Sequence, residues 1–160
     1  MSIYDPATYD IRKAVPPMLG RVRAVFIAAL EERLAPFDIK PVDYVVLASL
    51  ANDVADTASS VCSIMSHDPG AMTRKIDALE QRGLVRRVRS AEDRRAIKLE
   101  LTPEGRKVFP KMLAVAVGVA NDFLRGFSKA EVRQFEDMLQ RILDNADEMG
   151  FELLGKEARR

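Results

Sequence analysis

Between Asp68 and Gly105 the chain spells out a helix, two short strands and the start of another helix without spare residues. That order restricts the fold more than any other feature. Asp68 belongs to the residues that cap helix N-termini, and Pro69 suits a first turn because its missing N–H would have no partner there. Gly83 supplies a stop, so the spacing predicts a helix from Pro69 to Arg82. Met72, Ile76 and Leu79 recur at helical spacing as its apolar face, which turns Gly70, Thr73, Arg74, Asp77 and Gln81 elsewhere. Leu84 to Arg89 reads as a strand, and Ile97, Leu99 and Leu101 alternate with Lys98 and Glu100 as a half-buried strand does. Thr102, Pro103 and Glu104 then open a new helix with a cap, a first-turn proline and a carboxylate at the positive end of the dipole.

The loop Ser90 to Arg95 holds no Gly or Asn-Gly pair, which disfavours a tight two-residue turn and favours a longer projecting loop. Asp93, Arg94 and Arg95 concentrate charge at its far side. A short helix, a basic hairpin and a capped helix in this order describe a winged helix. The expected fold is mainly α with a small β-hairpin wing, a winged helix-turn-helix flanked by N- and C-terminal dimerisation helices. Small residues and an arginine at an exposed helix N-terminus suit a major groove, where bulky side chains would hold the backbone off the bases. Pro69, Gly70, Thr73 and Arg74 are the expected contacts there. Arg95 is expected in a flanking minor groove, whose narrowness deepens the negative potential, with Asp93 orienting it and Arg94 at phosphate.

Arg74, Leu79-Glu80, Gly83-Leu84-Val85, Asp93-Arg94-Arg95, Thr102 and Gly105 stand at the spacing of the MarR family of bacterial transcription regulators, which this stretch resembles. Met72 departs from the usual Leu, Ile or Ala, a volume-tolerant core exchange. The signature covers roughly a quarter of the chain. The resemblance implies a homodimer on an inverted-repeat operator in double-stranded DNA, most often a repressor. It also implies relief by a small effector, often a phenolic or aromatic acid or its conjugate, bound between the dimer helices and the reading head. No motif marks the pocket, so no effector residue is assigned. Relatives that sense peroxide carry a cysteine in the first long helix, and this chain has none there.

Two upstream helices complete a trihelical unit. Lys40-Pro41-Val42 opens one running toward Ala51, with Tyr44, Leu47, Ala48 and Ala51 available to a core. Thr57 caps the next, where Ala58, Val61, Cys62 and Met65 fall on one stripe, and Ser66-His67 makes the turn. Tyr44 reads as core before effector contact, and Cys62 as a small hydrophobe before redox sensor.

The flanks read as an assembly device. From Pro17, Leu19, Val22, Val25, Phe26, Ala29, Leu30 and Leu34 follow helical spacing until Pro36 and Asp38. Pro16-Pro17 separates this run from a preceding arm or short helix. Phe109, Met112, Ala116, Ala120, Phe123 and Phe127 line a later helix. Ser128 with Glu131 forms a capping box for another, carrying Phe135, Leu139, Ile142, Ala146, Met149 and Leu153. So many apolar faces exceed what one small head buries, which points to a second copy. Residues 1–36 and 104–160 are the expected dimerisation helices, and 37–103 the DNA-binding region.

Net charge is only +1, yet Arg74 to Lys98 carries a local +5 against −4 for the remainder. The single cysteine excludes an internal disulfide framework, and no apolar run would span a bilayer. The first residues lack a signal-peptide core, so a cytoplasmic protein is expected. Catalysis is not expected. His67 is the sole histidine, no nucleophilic triad spacing occurs, and neither a zinc set nor a phosphate-binding glycine loop is present. No metal or cofactor is expected. A winged helix that binds protein instead of DNA is the alternative reading, since the fold serves both uses.

Overall fold

A computed structural model describes residues 2–65, 68–89 and 97–151. The order is α1 (Val15–Leu34), a 3₁₀ turn (Ala35–Phe37), α2 (Pro41–Ala51), α3 (Ala58–Met65), α4 (Pro69–Gln81), β1 (Val85–Arg89), β2 (Ile97–Leu101), α5 (Pro103–Phe123) and α6 (Lys129–Glu148). The strands pair antiparallel with Val85 opposite Leu101 and Arg89 opposite Ile97. The fold is the expected one, mainly helical with a hairpin wing.

Each boundary has a local cause. Asp68 caps α4, Thr102 caps α5 and Ser128 caps α6, each side chain accepting a backbone N–H of the first turn. Glu131 closes the box on α6 by accepting from the Ser128 N–H at 2.8 Å. At the far end of α4, Gly83 sits at φ +68°, its N–H bonds to the Glu80 carbonyl and the Leu84 N–H reaches back to Leu79. That paired closure needs a left-handed residue and explains the glycine. Gly105 is required for a different reason. A Cβ there would overlap the Leu84 carbonyl, so only glycine lets α5 start against the root of the wing.

The core joins all the central elements. Leu34, Val46, Leu47, Val61, Met72, Ile76, Leu79 and Met112 are essentially fully buried within one cluster that also takes in Leu99, Leu101 and Phe109. The winged-helix unit is thus built on the end of α1 and the start of α5, and its orientation follows theirs. A hydrogen bond from the Leu99 N–H to the Asp56 carbonyl, 2.6 Å, ties β2 to the start of the α3 segment.

Four expectations need adjustment. α1 begins at Val15, two residues before Pro17, because both prolines fit its first turn; the residues before it form a turn-rich arm. Ile97 is 56% exposed, since it pairs with Arg89 at the loop end of the hairpin, beyond the core that Leu99 and Leu101 cover. Phe127 does not extend the α5 face, because that helix ends at Phe123 and Gly126 turns the chain at φ +91°. Met149 is the C-cap of α6 and not part of its stripe. Leu153 lies outside the described residues, as do Ser66 and His67.

The outer helices leave apolar surface uncovered. Val15, Met18, Val22 and Val25 on α1, Leu113, Val117 and Phe123 on α5, and Phe135, Met138 and Ile142 on α6 are all exposed. α6 buries no residue at all. Among the described residues no helix is long and apolar enough to cross a membrane.

Candidate nucleic-acid interface

The site is organised by how α4 is held. Its apolar face, Met72, Ile76 and Leu79, is buried to 1% exposure or less, which fixes the rotation of the helix about its axis. The opposite side therefore faces solvent. Asp68 Oδ1 accepts the Ala71 N–H at 2.8 Å and starts the helix sharply at Pro69. Pro69, Gly70, Thr73 and Arg74 are all exposed, gathered over the first one and a half turns. A side chain on Gly70 would press on the capping Asp68 carboxylate, 3.3 Å from an added Cβ. The Thr73 hydroxyl donates to the Pro69 carbonyl at 3.0 Å, leaving its oxygen free only to accept. The positive end of the helix dipole adds to the Arg74 charge at this end.

The structure sorts the basic cluster into cations that hold the fold and cations that remain available. Arg87 on β1 donates to Asp77 at 2.6 Å and also to Glu80, and the Arg87 N–H reaches Glu80 Oε1 at 3.0 Å. Burial opposes ionisation of this guanidinium, but the hydrogen bonds of Asp77 and Glu80 outweigh it and keep its pKa raised. Arg86 pairs across the hairpin with Glu100 at 2.6 Å, and Lys98 with Asp56 at 2.9 Å. Lys75 faces Asp43 at 3.9 Å, and Arg82 donates to two backbone carbonyls of the α1–α2 connection. Among the described residues of the cluster, only Arg74 and Arg89 carry no such partner.

Arg89 was not singled out by the sequence. Alternation along β1 puts it on the same face as Arg87, and a strand rises about 3.3 Å per residue, so it lies roughly 7 Å further along the strand. It is the last residue of β1, opposite Ile97, and is exposed. Asp93, Arg94 and Arg95, the expected wing contacts, lie outside the described residues. No group of three or more potential metal ligands occurs among the described residues.

The half-buried Tyr44 of α2 stacks on Phe109 of α5, ring centroids 6.3 Å apart, and burial pushes its phenol pKa up. This aromatic pair sits where α2 packs on α5.

Comparison with known proteins gives a consistent result. The sequence model of the MarR family matches residues 39–97. The HTH-type transcriptional repressor MdtR of Bacillus subtilis (strain 168) is 26% identical over 147 residues, 92% of each chain. Transcriptional regulator PA3341 is 31% identical, with a TM-score of 0.75 over 82% of this chain and 96% of that one. CouR of Rhodococcus jostii RHA1, solved bound to p-coumaroyl-CoA, is 26% identical, with a TM-score of 0.75 over 84% of this chain and 95% of that one.

Proposed function

The chain belongs to the MarR family of transcription regulators, and on that premise we propose that it is a homodimeric repressor released from an inverted-repeat operator by a small effector. Members of this family are DNA-binding proteins, not enzymes. The observation that carries the proposal is Arg74, exposed and unpaired at the N-terminal end of a helix whose other face is locked into the core. In this reading Arg74 contacts a base edge, Thr73 accepts from a neighbouring base or a water, and the backbone at Pro69 and Gly70 approaches the duplex closely. Arg94 and Arg95 extend the contact through the wing, with Asp93 orienting Arg95 and Arg89 adding charge beside them.

The uncovered apolar faces of α1, α5 and α6 support the dimer. An amphipathic helix that buries nothing in one copy needs a partner surface, and two-fold closure gives each copy the other's. Repression is favoured by the likeness to MdtR. An aromatic acid or its coenzyme A conjugate is the favoured effector class, because CouR was solved with p-coumaroyl-CoA. The junction at Tyr44 and Phe109 is the place we assign to it, since a ligand there would alter how α2 and α5 pack. A cytoplasmic location goes with the same reading.

The test is selection of bound duplexes from a random-sequence pool, followed by titration of the complex with aromatic acids and their thioesters. The proposal expects an inverted repeat with half-sites about one helical turn apart. It also expects a ligand that weakens binding by roughly 5- to 150-fold, matching a coupling of about 1–3 kcal/mol. Recovery of no consensus sequence would refute it.

A further inference from the structure

Arg82 closes α4 at the end opposite the exposed one. With 13 residues in the helix, it stands roughly 20 Å from the Pro69 end at 1.5 Å per residue. Its side chain leaves α4 altogether. Nη1 donates to the Asp38 carbonyl at 2.5 Å and Nη2 to the Phe37 carbonyl at 3.1 Å, with Asp38 Oδ2 at 3.8 Å. These carbonyls terminate the 3₁₀ turn that extends α1, and Asp38 is held at φ +53°, its N–H bonded to Ala35. One guanidinium thus lies between two helix C-termini. Both ends carry the partial negative charge of a helix C-terminus, which a cation stabilises.

The geometry points to Arg82 as a positioning residue that sets the angle between the reading helix and the dimerisation helix α1, and so the half-site spacing that a dimer accepts. The inference rests on the dimeric reading above. Its physical basis is the planar fork, whose two N–H groups address successive carbonyls and fix a direction as well as a distance. Lysine at this place would keep the charge as a single point without that fork. Since α1 carries the uncovered apolar face and α4 carries Arg74, any rotation between them is passed on to the distance between two reading helices.

The experiment measures affinity of the full-length protein for its selected operator and for operators with one base pair inserted or removed between half-sites. One base pair rotates a half-site by roughly a tenth of a turn as well as shifting it. Wild type should lose about tenfold or more on each altered operator, in line with the cost of a disrupted base contact. Arg82→Met and Arg82→Lys should shrink that penalty to about threefold or less, with base preference within each half-site unchanged. A role confined to stability would lower Tm but leave the penalty intact once active protein is titrated. A phosphate contact would lower affinity on all operators alike. An undiminished penalty in Arg82→Lys, the variant that preserves charge and solubility, overturns the inference alone. Wild type with no spacing preference overturns the dimeric reading and this inference together.

Discussion

Arg87 stands 2.6 Å from Asp77, so a side chain of the wing is anchored directly on α4. The same guanidinium holds Glu80, and all three groups are partly shielded from solvent. The wing and α4 are thereby held at one angle, and two carboxylates of α4 are neutralised from within.

Replacement of Arg87 by methionine should therefore act twice. Stability should fall by about 1–2 kcal/mol, the scale of charge-assisted hydrogen bonds discounted for partial exposure. Operator affinity should fall further than stability explains, because Asp77 and Glu80 are left as free anions. Adding Asp77→Asn and Glu80→Gln to Arg87→Met should recover affinity without restoring the urea midpoint. Recovery of both together would mean that only folding was at stake.

Gly105 provides a test of close packing. Gly105→Ala places a methyl group onto the Leu84 carbonyl, which also accepts the Thr102 N–H at 3.1 Å. The expected loss is about 1–3 kcal/mol or more, the cost of overpacking where the neighbour is backbone. Denaturant unfolding that shifts by a few tenths of a kcal/mol would show that α5 and the wing slide apart freely.

The turn between α5 and α6 should weaken in acid. The Arg33 guanidinium, 2.5 Å from Asp122, holds that carboxyl below its usual range, and the Ser128 N–H does the same for Glu131. A carboxylate whose pKa is depressed on folding stabilises above the ordinary carboxylate range and loses that contribution as pH falls through its folded value. Helix content followed by circular dichroism should drop below that range. Glu131→Gln keeps an accepting oxygen without a titration, so its acid transition should be shallower. An identical pH profile in wild type and variant would rule out the cap as a contributor.

Arg95→Ala separates shape from sequence. Its loss should be largest on operators with A·T-rich flanks, where the minor groove is narrow. Equal loss on A·T-rich and G·C-rich flanks would place Arg95 at phosphate instead.

Local chemistry was legible in the sequence and long-range pairing was not. Asp68, Gly83, Thr102 and the Ser128–Glu131 box were readable because a cap and its helix lie within four residues. The burial of Met72, Ile76 and Leu79 followed from helical periodicity. By contrast, the local +5 overstated the available charge. Arg82 finds Asp38 and Arg86 finds Glu100 only after the chain folds, and nothing in their spacing marks them as structural. Arg89 escaped notice for the same reason, since its availability depends on where α4 ends relative to β1. Phe127 was misplaced because a helical periodicity continued past Gly126, which the backbone uses as a turn. At the candidate site Pro69, Gly70, Thr73 and Arg74 lie exposed at one end of α4, while Asp93, Arg94 and Arg95 fall outside the described residues.

The central claim is that the exposed end of α4 reads base sequence in a duplex, and Arg74→Ala tests it most directly. Affinities of wild type and variant would be measured on the selected operator and on random duplex, from 50 to 200 mM salt. Wild type should lose about 10³- to 10⁵-fold across that range if it makes about 6–10 phosphate contacts. Arg74→Ala should cost about 1–3 kcal/mol on the operator and relax preference at one base-pair position, with little change on random duplex. A flat salt response in wild type, or equal losses on operator and random duplex, would contradict the account.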